Sequence, residues 1–415
     1  MNKLVKIFVI GIMSCALALS AAAQTRKLTV ALNFPTTDSV FAAITSIAAD
    51  YMKQNPGVQI DVVTYPSYED TMKIKMASND LPDLWATHGW SVARYSEYLQ
   101  PLNDQSWISK INPAIKPVIT DKRGKVFVLP FDVSVAGIAF NRTVLDEAGV
   151  DPFKIKTWHD FEAACAKVKA IGKIPVDVGG SAADLWTVGN FYDWVAPSFL
   201  ITNDKDNYRE ALKDGSFDWN KWAPVAKLLV DFRDSGFLNP DYTQGTWVDV
   251  GKRMAAGKLA FGFYGNYVIG EAKKYNPKGK YGFMPVPAAS KDDTPSLITG
   301  EWVALGVWKD SKYKADALKF LAFCAKPANI SKVATITGSP TGLVGPGYKS
   351  AQGDMTPYFK HCEGVRGFPY FDREYLPSGM WNTMCNTGIG LLANTMTIDQ
   401  AVAKMKNDYD SLKGL

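Results

Sequence analysis

The sequence is poor in the residues that carry metal and nucleophilic chemistry. Its 415 residues include three histidines and five cysteines, and the histidines are widely separated. Zinc-protease, P-loop, calcium-loop and nucleophile-elbow motifs are missing or fail at a required position. The 46 basic and 41 acidic residues are interspersed along the chain, so no basic patch indicates nucleic-acid binding. We therefore expect no metal, no cofactor and no nucleic-acid partner.

Long hydrophobic runs are also missing, apart from one at the N-terminus. Two lysines precede an apolar run over residues 7–19, and three alanines follow at residues 21–23. This order is typical of a cleaved secretory signal peptide, and the run is shorter than the roughly 20 apolar residues of a membrane span. We predict that residues 1–23 are removed and that the protein is periplasmic. Lipid attachment at Cys15 is the less favoured alternative.

Four cysteines remain after that cleavage, and an exported protein can form disulfides. Cys165 and Cys324 each lie among apolar residues of a predicted helix, which is typical of buried thiols. Cys362 and Cys385 are closer together, and we predict them as a possible disulfide.

What the chain has in abundance is alternating strand and helix patterns. An apolar strand at residues 28–32 is followed by an amphipathic helix at 39–54 and a strand at 58–63. Such units indicate parallel sheets in an α/β fold, whose ligands lie at the carboxyl ends of strands. Two long extended segments, at residues 126–141 and 282–287, contain proline, and we interpret them as crossings between two lobes.

Three motifs suggest a family. Residues 130–141 combine Pro-Phe-Asp with Gly-Ile-Ala-Phe-Asn, residues 79–85 read Asn-Asp-Leu-Pro-Asp-Leu-Trp, and residues 254–267 contain Gly-Lys-Leu-Ala-Phe and Gly-Asn-Tyr. In order and spacing, the chain from Gln24 onward resembles the extracellular solute-binding proteins of ABC importers, specifically the carbohydrate-binding branch. Ala139 and Phe140 depart mildly from the family pattern.

The resemblance implies a two-lobed periplasmic-binding-protein fold of type II, in which each lobe is a mostly parallel sheet flanked by helices. The expected N-lobe comprises residues 24–132 plus 288–345, and the expected C-lobe residues 137–282 plus 346–415. The expected hinge crossings are residues 133–136 and 283–287.

A sugar presents apolar faces, which stack on aromatic rings, and hydroxyl groups, which hydrogen-bond to polar and charged side chains. The resemblance implies stacking roles for three aromatic residues, and the others follow predicted strands or lie on a crossing. Each aromatic residue is also compatible with a plain core position. The candidate ligand-binding residues are Asn33, Thr87, His88, Trp90, Asp132, Ser134, Trp186, Asn266, Tyr267, Glu301, Trp302 and Trp381.

The resemblance implies a monomeric binding protein, and not an enzyme, which traps a sugar between its lobes. The membrane-spanning permease subunits of an ABC importer would then receive that sugar. Two alternatives stay open. A secreted carbohydrate-active enzyme would share the export signal and the tryptophans, and a carboxylate pair for hydrolysis is not excluded. A binding protein of the same fold could instead take a polyamine, because aromatic rings and carboxylates also suit ammonium groups.

Overall fold

The computed structural model describes residues 25–350 and 355–413. The predicted signal peptide, with Cys15, lies outside the described residues. Within those two ranges, no helix is long and apolar enough to cross a membrane. The strands are β1 (Arg26–Ala31), β2 (Val58–Val63), β3 (Leu84–Ala86), β4 (Val128–Pro130), β5 (Ser134–Ala136), β6 (Ile138–Asn141), β7 (Ile174–Val176), β8 (Leu259–Gly262), β9 (Tyr281–Met284), β10 (Leu297–Gly300), β11 (Ala304–Val307) and β12 (Gly367–Phe368). The helices are α1 (Ser39–Gln54), α2 (Tyr68–Ala77), α3 (Arg142–Glu147), α4 (Trp158–Ala170), α5 (Trp186–Leu200), α6 (Arg209–Asp214), α7 (Ala223–Asp234), α8 (Trp247–Ala255), α9 (Gly265–Tyr275), α10 (Lys314–Cys324), α11 (Pro327–Thr337), α12 (Thr356–His361), α13 (Phe371–Tyr375), α14 (Met380–Leu392) and α15 (Ile398–Leu412).

The N-lobe is built on a five-stranded sheet of order β2-β1-β3-β11-β4. Strands β1, β2 and β3 are parallel, and β11 is antiparallel to both of its neighbours. Helix α1 begins at an Asp38 cap and buries Val40, Ile44 and Ile47, because apolar residues three or four positions apart share one helical face. The parallel arrangement brings the loops after β1 and β3 to the same sheet edge.

The C-lobe is built on a four-stranded sheet of order β7-β8-β6-β9. Helix α4 begins with a capping box formed by Thr157 and Asp160, which satisfies amide groups that the first turn leaves free. Helix α5 is buried along most of its length and packs against α14, α7 and α13. The two sheets with their flanking helices confirm the predicted two-lobed α/β fold. The expectation of a mostly parallel sheet in each lobe is wrong for the C-lobe, because β6 is antiparallel to both β8 and β9.

A small third sheet, of order β12-β10-β5, lies between the lobes. Strand β5 follows β4 of the N-lobe sheet and precedes β6 of the C-lobe sheet, so it is the first crossing. The second crossing is β10. The prediction of residues 283–287 was wrong, because β9 belongs to the C-lobe sheet and Ala288 still pairs with Thr157 of the C-lobe.

The assignment of residues 288–296 to the N-lobe was also wrong. Val286 pairs with Ser296 in an antiparallel bridge, and Asp293 contacts Thr202 and Arg366 of the C-lobe. Further along, the Lys349 amide still donates a hydrogen bond to Ser331 of the N-lobe, whereas Met355 packs in a C-lobe cluster. The described chain therefore belongs to the N-lobe at residue 349 and to the C-lobe from residue 355.

The cysteines Cys165, Cys324, Cys362 and Cys385 are free and buried. The possible disulfide between Cys362 and Cys385 is therefore not formed. Cys362 packs with Tyr281 and Phe283, whereas Cys385 lies in α14 against Gly189 of α5. Burial raises the pKa of both thiols to about 12.

Candidate ligand-binding cleft

The floor of the cleft is the first crossing. Asp132 is 1% exposed, and its Oδ1 accepts a hydrogen bond of 3.1 Å from the Val303 amide, while Oδ2 has no protein partner. Burial raises the pKa of Asp132 to about 6, against the opposing effects of the Val303 amide and the nearby Thr337 side chain. Two residues on, the Ser134 hydroxyl lies 2.7 Å from the Tyr370 hydroxyl of the C-lobe. The floor therefore presents a buried carboxyl oxygen and a pair of hydroxyls.

The N-lobe wall is formed by the loops after β1 and β3. Ala31 pairs with Trp85, so Asn33 and Thr87 follow neighbouring strands at equivalent positions. Asn33 Oδ1, Thr87 Oγ1 and Trp90 Nε1 are all buried and lack a hydrogen-bond partner. Since a buried polar atom without a partner costs stability, three such atoms on adjoining loops point to a ligand that supplies hydrogen bonds.

Glu301 is hydrogen-bonded to the loop after β3. Its Oε1 accepts hydrogen bonds from the Gly89 amide at 2.9 Å and the Ser91 amide at 3.2 Å, and its Oε2 accepts one from the Ser91 hydroxyl at 2.6 Å. The side chain is 1% exposed. Glu301 therefore holds the loop after β3 in place, and its carboxylate is already occupied by protein donors.

Aromatic side chains form the opposite wall. The Trp247 and Tyr267 rings stack with 4.9 Å between centroids, and Trp186 lies 5.0 Å from Trp247 and 6.5 Å from Tyr267. Trp302 comes from the N-lobe, and its ring is 5.3 Å from that of Tyr267. Tyr267 is 40% exposed, which leaves part of its ring free for stacking. Trp247, which the sequence analysis does not predict as a ligand-binding residue, also belongs to this wall. It directly follows the capping-box residue Thr246, so in the sequence it looks like the first residue of a helix.

Asn266 and Trp381 lie at the margins of the same wall. Asn266 Oδ1 is buried without a partner, and the preceding Gly265 packs against Ala136 of the floor. The Trp381 indole packs on Gly189 of α5, less than one turn from Trp186. Trp381 is partly buried against the C-lobe core, so the structure shows its packing role and its stacking role stays a prediction.

The sequence prediction missed the charged part of the cleft. The Arg373 guanidinium lies 4.0 Å from the Tyr370 ring centroid and 5.5 Å from that of Trp90. Its Nη2 is 3.3 Å from Nε2 of His88, whose Nδ1 is 3.0 Å from Oε1 of Glu69. Arg373 lies in a segment of mixed aromatic and charged residues without helical or strand periodicity, so no pattern singles it out.

A buried acidic pair lies behind Arg373. The Asp372 amide donates a 2.9 Å hydrogen bond to Oδ1 of Asp193. Burial, followed by the charge of Asp372, raises the pKa of Asp193 well above its usual range. Burial also raises the pKa of Asp372, against the opposing charges of Arg373 and Arg94. The pair thus favours protonation of one carboxyl group.

The cleft therefore combines aromatic faces with buried hydrogen-bonding atoms that have no protein partner. Among residues 25–350 and 355–413, no group of three or more histidine, cysteine, aspartate and glutamate side chains is arranged to hold a metal ion. The arrangement suits a neutral molecule with both apolar faces and many hydroxyl groups.

Comparison with known proteins agrees with this geometry. Residues 35–330 match the family model for bacterial extracellular solute-binding proteins. The melibiose/raffinose/stachyose-binding protein of Bacillus subtilis (strain 168) is 31% identical over 410 residues, which cover 96% of this chain and 93% of that protein. This chain belongs to the bacterial extracellular solute-binding proteins. The family and the Bacillus subtilis relative are binding proteins of transport systems, so this solute-binding protein is not an enzyme.

Solved structures of other solute-binding proteins share the whole fold. A binding protein from Bacillus subtilis, solved in an open conformation, has a TM-score of 0.87 at 31% identity, covering 94% of this chain and 98% of its own. A sugar transporter from Bacillus licheniformis in complex with stachyose has a TM-score of 0.83 at 34% identity, covering 93% of this chain and 100% of its own. Both similarities extend across the two lobes and the crossings.

Proposed function

We propose that this solute-binding protein captures an oligosaccharide of the raffinose series between its lobes. Melibiose, raffinose and stachyose all carry a terminal α-1,6-linked galactosyl ring, so one site could accept all three. The observation that carries the proposal is the set of unpartnered buried polar atoms in the cleft: Asn33 Oδ1, Thr87 Oγ1, Trp90 Nε1, Asp132 Oδ2 and Asn266 Oδ1.

Sugar hydroxyls match these atoms, because a hydroxyl both donates and accepts. The amide and carboxyl oxygens of Asn33, Asp132 and Asn266 accept, whereas the Trp90 indole donates. The half-exposed ring of Tyr267, backed by Trp247, suits an apolar sugar face. An elongated ligand of several rings would reach from this aromatic wall to the floor.

A polyamine fits less well. Two of the three acidic side chains described in the cleft are already engaged, since Glu301 holds Gly89 and Ser91 and Glu69 holds His88. Of the three, only Asp132 is left with an oxygen that lacks a protein partner. Arg373 adds a positive charge at the cleft, which repels a polycation. The balance of charge therefore favours a neutral ligand.

The test is a ligand screen on the protein that begins at Gln24. Melibiose, raffinose and stachyose are each added during thermal unfolding, with maltose and spermidine as comparisons. At a concentration of about 100 Kd, a ligand adds roughly 2.7 kcal/mol to the free energy of unfolding. We expect the three galactosides to raise the melting temperature. Stabilisation by spermidine without any sugar effect would refute the proposal.

A pair of variants locates the site. We expect Asp132→Asn to weaken raffinose binding about tenfold or more in calorimetry, because a charged acceptor in the floor is lost. Asp61→Asn is the matched control, since Asp61 pairs with Lys27 at the surface of the same lobe. Equal affinity in both variants would place the sugar elsewhere.

The proposal extends to the transport complex. The monomeric protein would work outside the cytoplasmic membrane, in the periplasm, and deliver the sugar to the membrane-spanning permease of an ABC importer. Deleting the gene should abolish uptake of labelled raffinose by intact cells at low external concentration, and the wild-type gene should restore it. Undiminished uptake in the deletion strain would contradict this role.

A further inference from the structure

We propose that Arg373 is a positioning residue that latches the two lobes together directly. It belongs to α13 of the C-lobe, yet its guanidinium contacts His88 and Trp90 of the N-lobe, at 3.3 Å and 5.5 Å respectively. The contact joins protein to protein, so by itself it favours the arrangement of the two lobes seen in this structure. This inference goes beyond the proposed function, because it does not depend on which sugar is bound.

The N-lobe loop at residues 88–91 leaves a notch at Gly89 into which the Arg373 side chain fits. Gly89 has a φ of +91°, and a Cβ at this position would lie 2.6 Å from both Cδ and Nη1 of Arg373. Glycine is therefore required both for the left-handed backbone and for the close approach of Arg373. The Glu301 carboxylate accepts hydrogen bonds from the Gly89 and Ser91 amides, and these bonds fix the backbone of the loop that forms the notch.

Partners within each lobe orient both sides of the latch. In the C-lobe, the Arg373 guanidinium stacks on Tyr370, and its Nε is 3.8 Å from Asp372 Oδ1. In the N-lobe, Glu69 accepts from Nδ1 of His88, which leaves Nε2 as the acceptor that faces Arg373. Because both sides are held in advance, little side-chain entropy is lost when they meet.

The latch has a direct consequence for ligand capture. A two-lobed protein binds its ligand with an apparent affinity that scales with the population of the competent state. When the arrangement that Arg373 stabilises is the competent one, removing its interlobe contact lowers that population and weakens binding of any ligand. The change is expected mainly as faster dissociation, because the lobes separate more readily.

The test compares Arg373→Gln with Arg142→Gln by small-angle X-ray scattering of the whole protein without sugar. Arg142 is the control, because it is a C-lobe arginine that pairs with Asp146 on the surface. We expect the radius of gyration to increase in Arg373→Gln and to stay unchanged in Arg142→Gln. At saturating raffinose all three proteins should have the same radius. The raffinose Kd should rise about 3- to 10-fold in Arg373→Gln, in line with the loss of cation–π contacts.

Arg373→Lys adds a second variant that keeps the charge but not the planar group, and we expect it to fall between wild type and Arg373→Gln. An unchanged sugar-free radius in Arg373→Gln would overturn the latch, and weaker binding alongside it would make Arg373 a sugar contact instead. Tighter binding would also overturn it. If no tested sugar binds, the proposed function fails, whereas the sugar-free radii still decide the latch.

Discussion

At the scale of single residues, Asp132 is the most informative side chain. It was predicted from its place on the crossing, and its depth in the floor is what gives it an unusual ionisation. Desolvation raises its pKa from 3.8 to about 6, so the carboxylate that would serve a sugar is costly to keep buried. Function and stability therefore oppose each other at this residue.

The first prediction follows from that conflict. The pKa of Asp132 is higher in the folded than in the unfolded state. The free energy that protonated Asp132 contributes to stability is therefore fully present below about pH 4 and is lost as pH rises through about 6. Asp132→Asn stays neutral, so it should be more stable than wild type at pH 7.5, by up to roughly 3 kcal/mol. Urea unfolding at pH 7.5, 6 and 4 should show this advantage shrinking with acidification. A stability difference that is independent of pH would contradict the account.

The residues that the sequence missed share a physical cause. Arg373, Tyr370 and Trp247 reach the cleft through tertiary packing, and no local pattern marks them. Glu301 is predicted as a ligand contact from its place at a strand end, but its hydrogen bonds to a neighbouring loop could not be predicted. Strand ends can be read from periodicity, but the partner of a buried carboxylate depends on the fold.

At the scale of elements, the hinge sheet explains where prediction succeeded and failed. Strand β5 was located because Pro130 and Gly137 interrupt a β-rich run. The second crossing was predicted at residues 283–287, ahead of its observed position in β10 at Leu297–Gly300, since Pro285 and Pro287 give an extended segment that looks like a crossing. That segment instead forms an antiparallel arm, with Val286 paired to Ser296. An extended pattern predicts backbone conformation, and it does not predict the pairing partner.

Strand β6 permits a second prediction. Gly137 directly precedes β6, and a Cβ there would lie 2.0 Å from the carbonyl oxygen of Met284 in the neighbouring strand β9. Gly137→Ala must therefore push these two segments apart. We expect a loss of about 3 kcal/mol in the free energy of unfolding. Gly270→Ala, in α9, meets nothing within 4 Å and should be neutral or gain up to about 1 kcal/mol. Chemical denaturation of both variants measures the contrast, and similar stabilities would refute it.

At the scale of the whole molecule, two packed lobes stabilise the protein without covalent cross-links. The four cysteines of the described chain are buried thiols in both lobes, and burial raises the pKa of each. A thiol reacts as its thiolate, so all four should be inert in the folded state.

The third prediction tests this on the protein that begins at Gln24. Ellman's reagent should detect almost no thiol in the native protein and about four per chain in guanidinium chloride, as the cysteine count requires. A reductant should leave the melting temperature unchanged, because no disulfide contributes to stability. Detection of only about two thiols per chain after denaturation would show that two cysteines, such as Cys362 and Cys385, form a disulfide.

The position of Glu301 has a consequence for protein engineering. It directly follows hinge strand β10, and its carboxylate secures the loop that carries Thr87, His88 and Trp90. The binding loop and the hinge strand β10 are therefore directly connected through Glu301. A biosensor built by grafting a new specificity onto this scaffold would have to transfer residue 301 together with the loop at 87–91. A graft of the loop alone would leave the Gly89 and Ser91 amides without the Glu301 carboxylate as their acceptor. Ligand binding would then no longer be linked to the lobe movement that a biosensor reports.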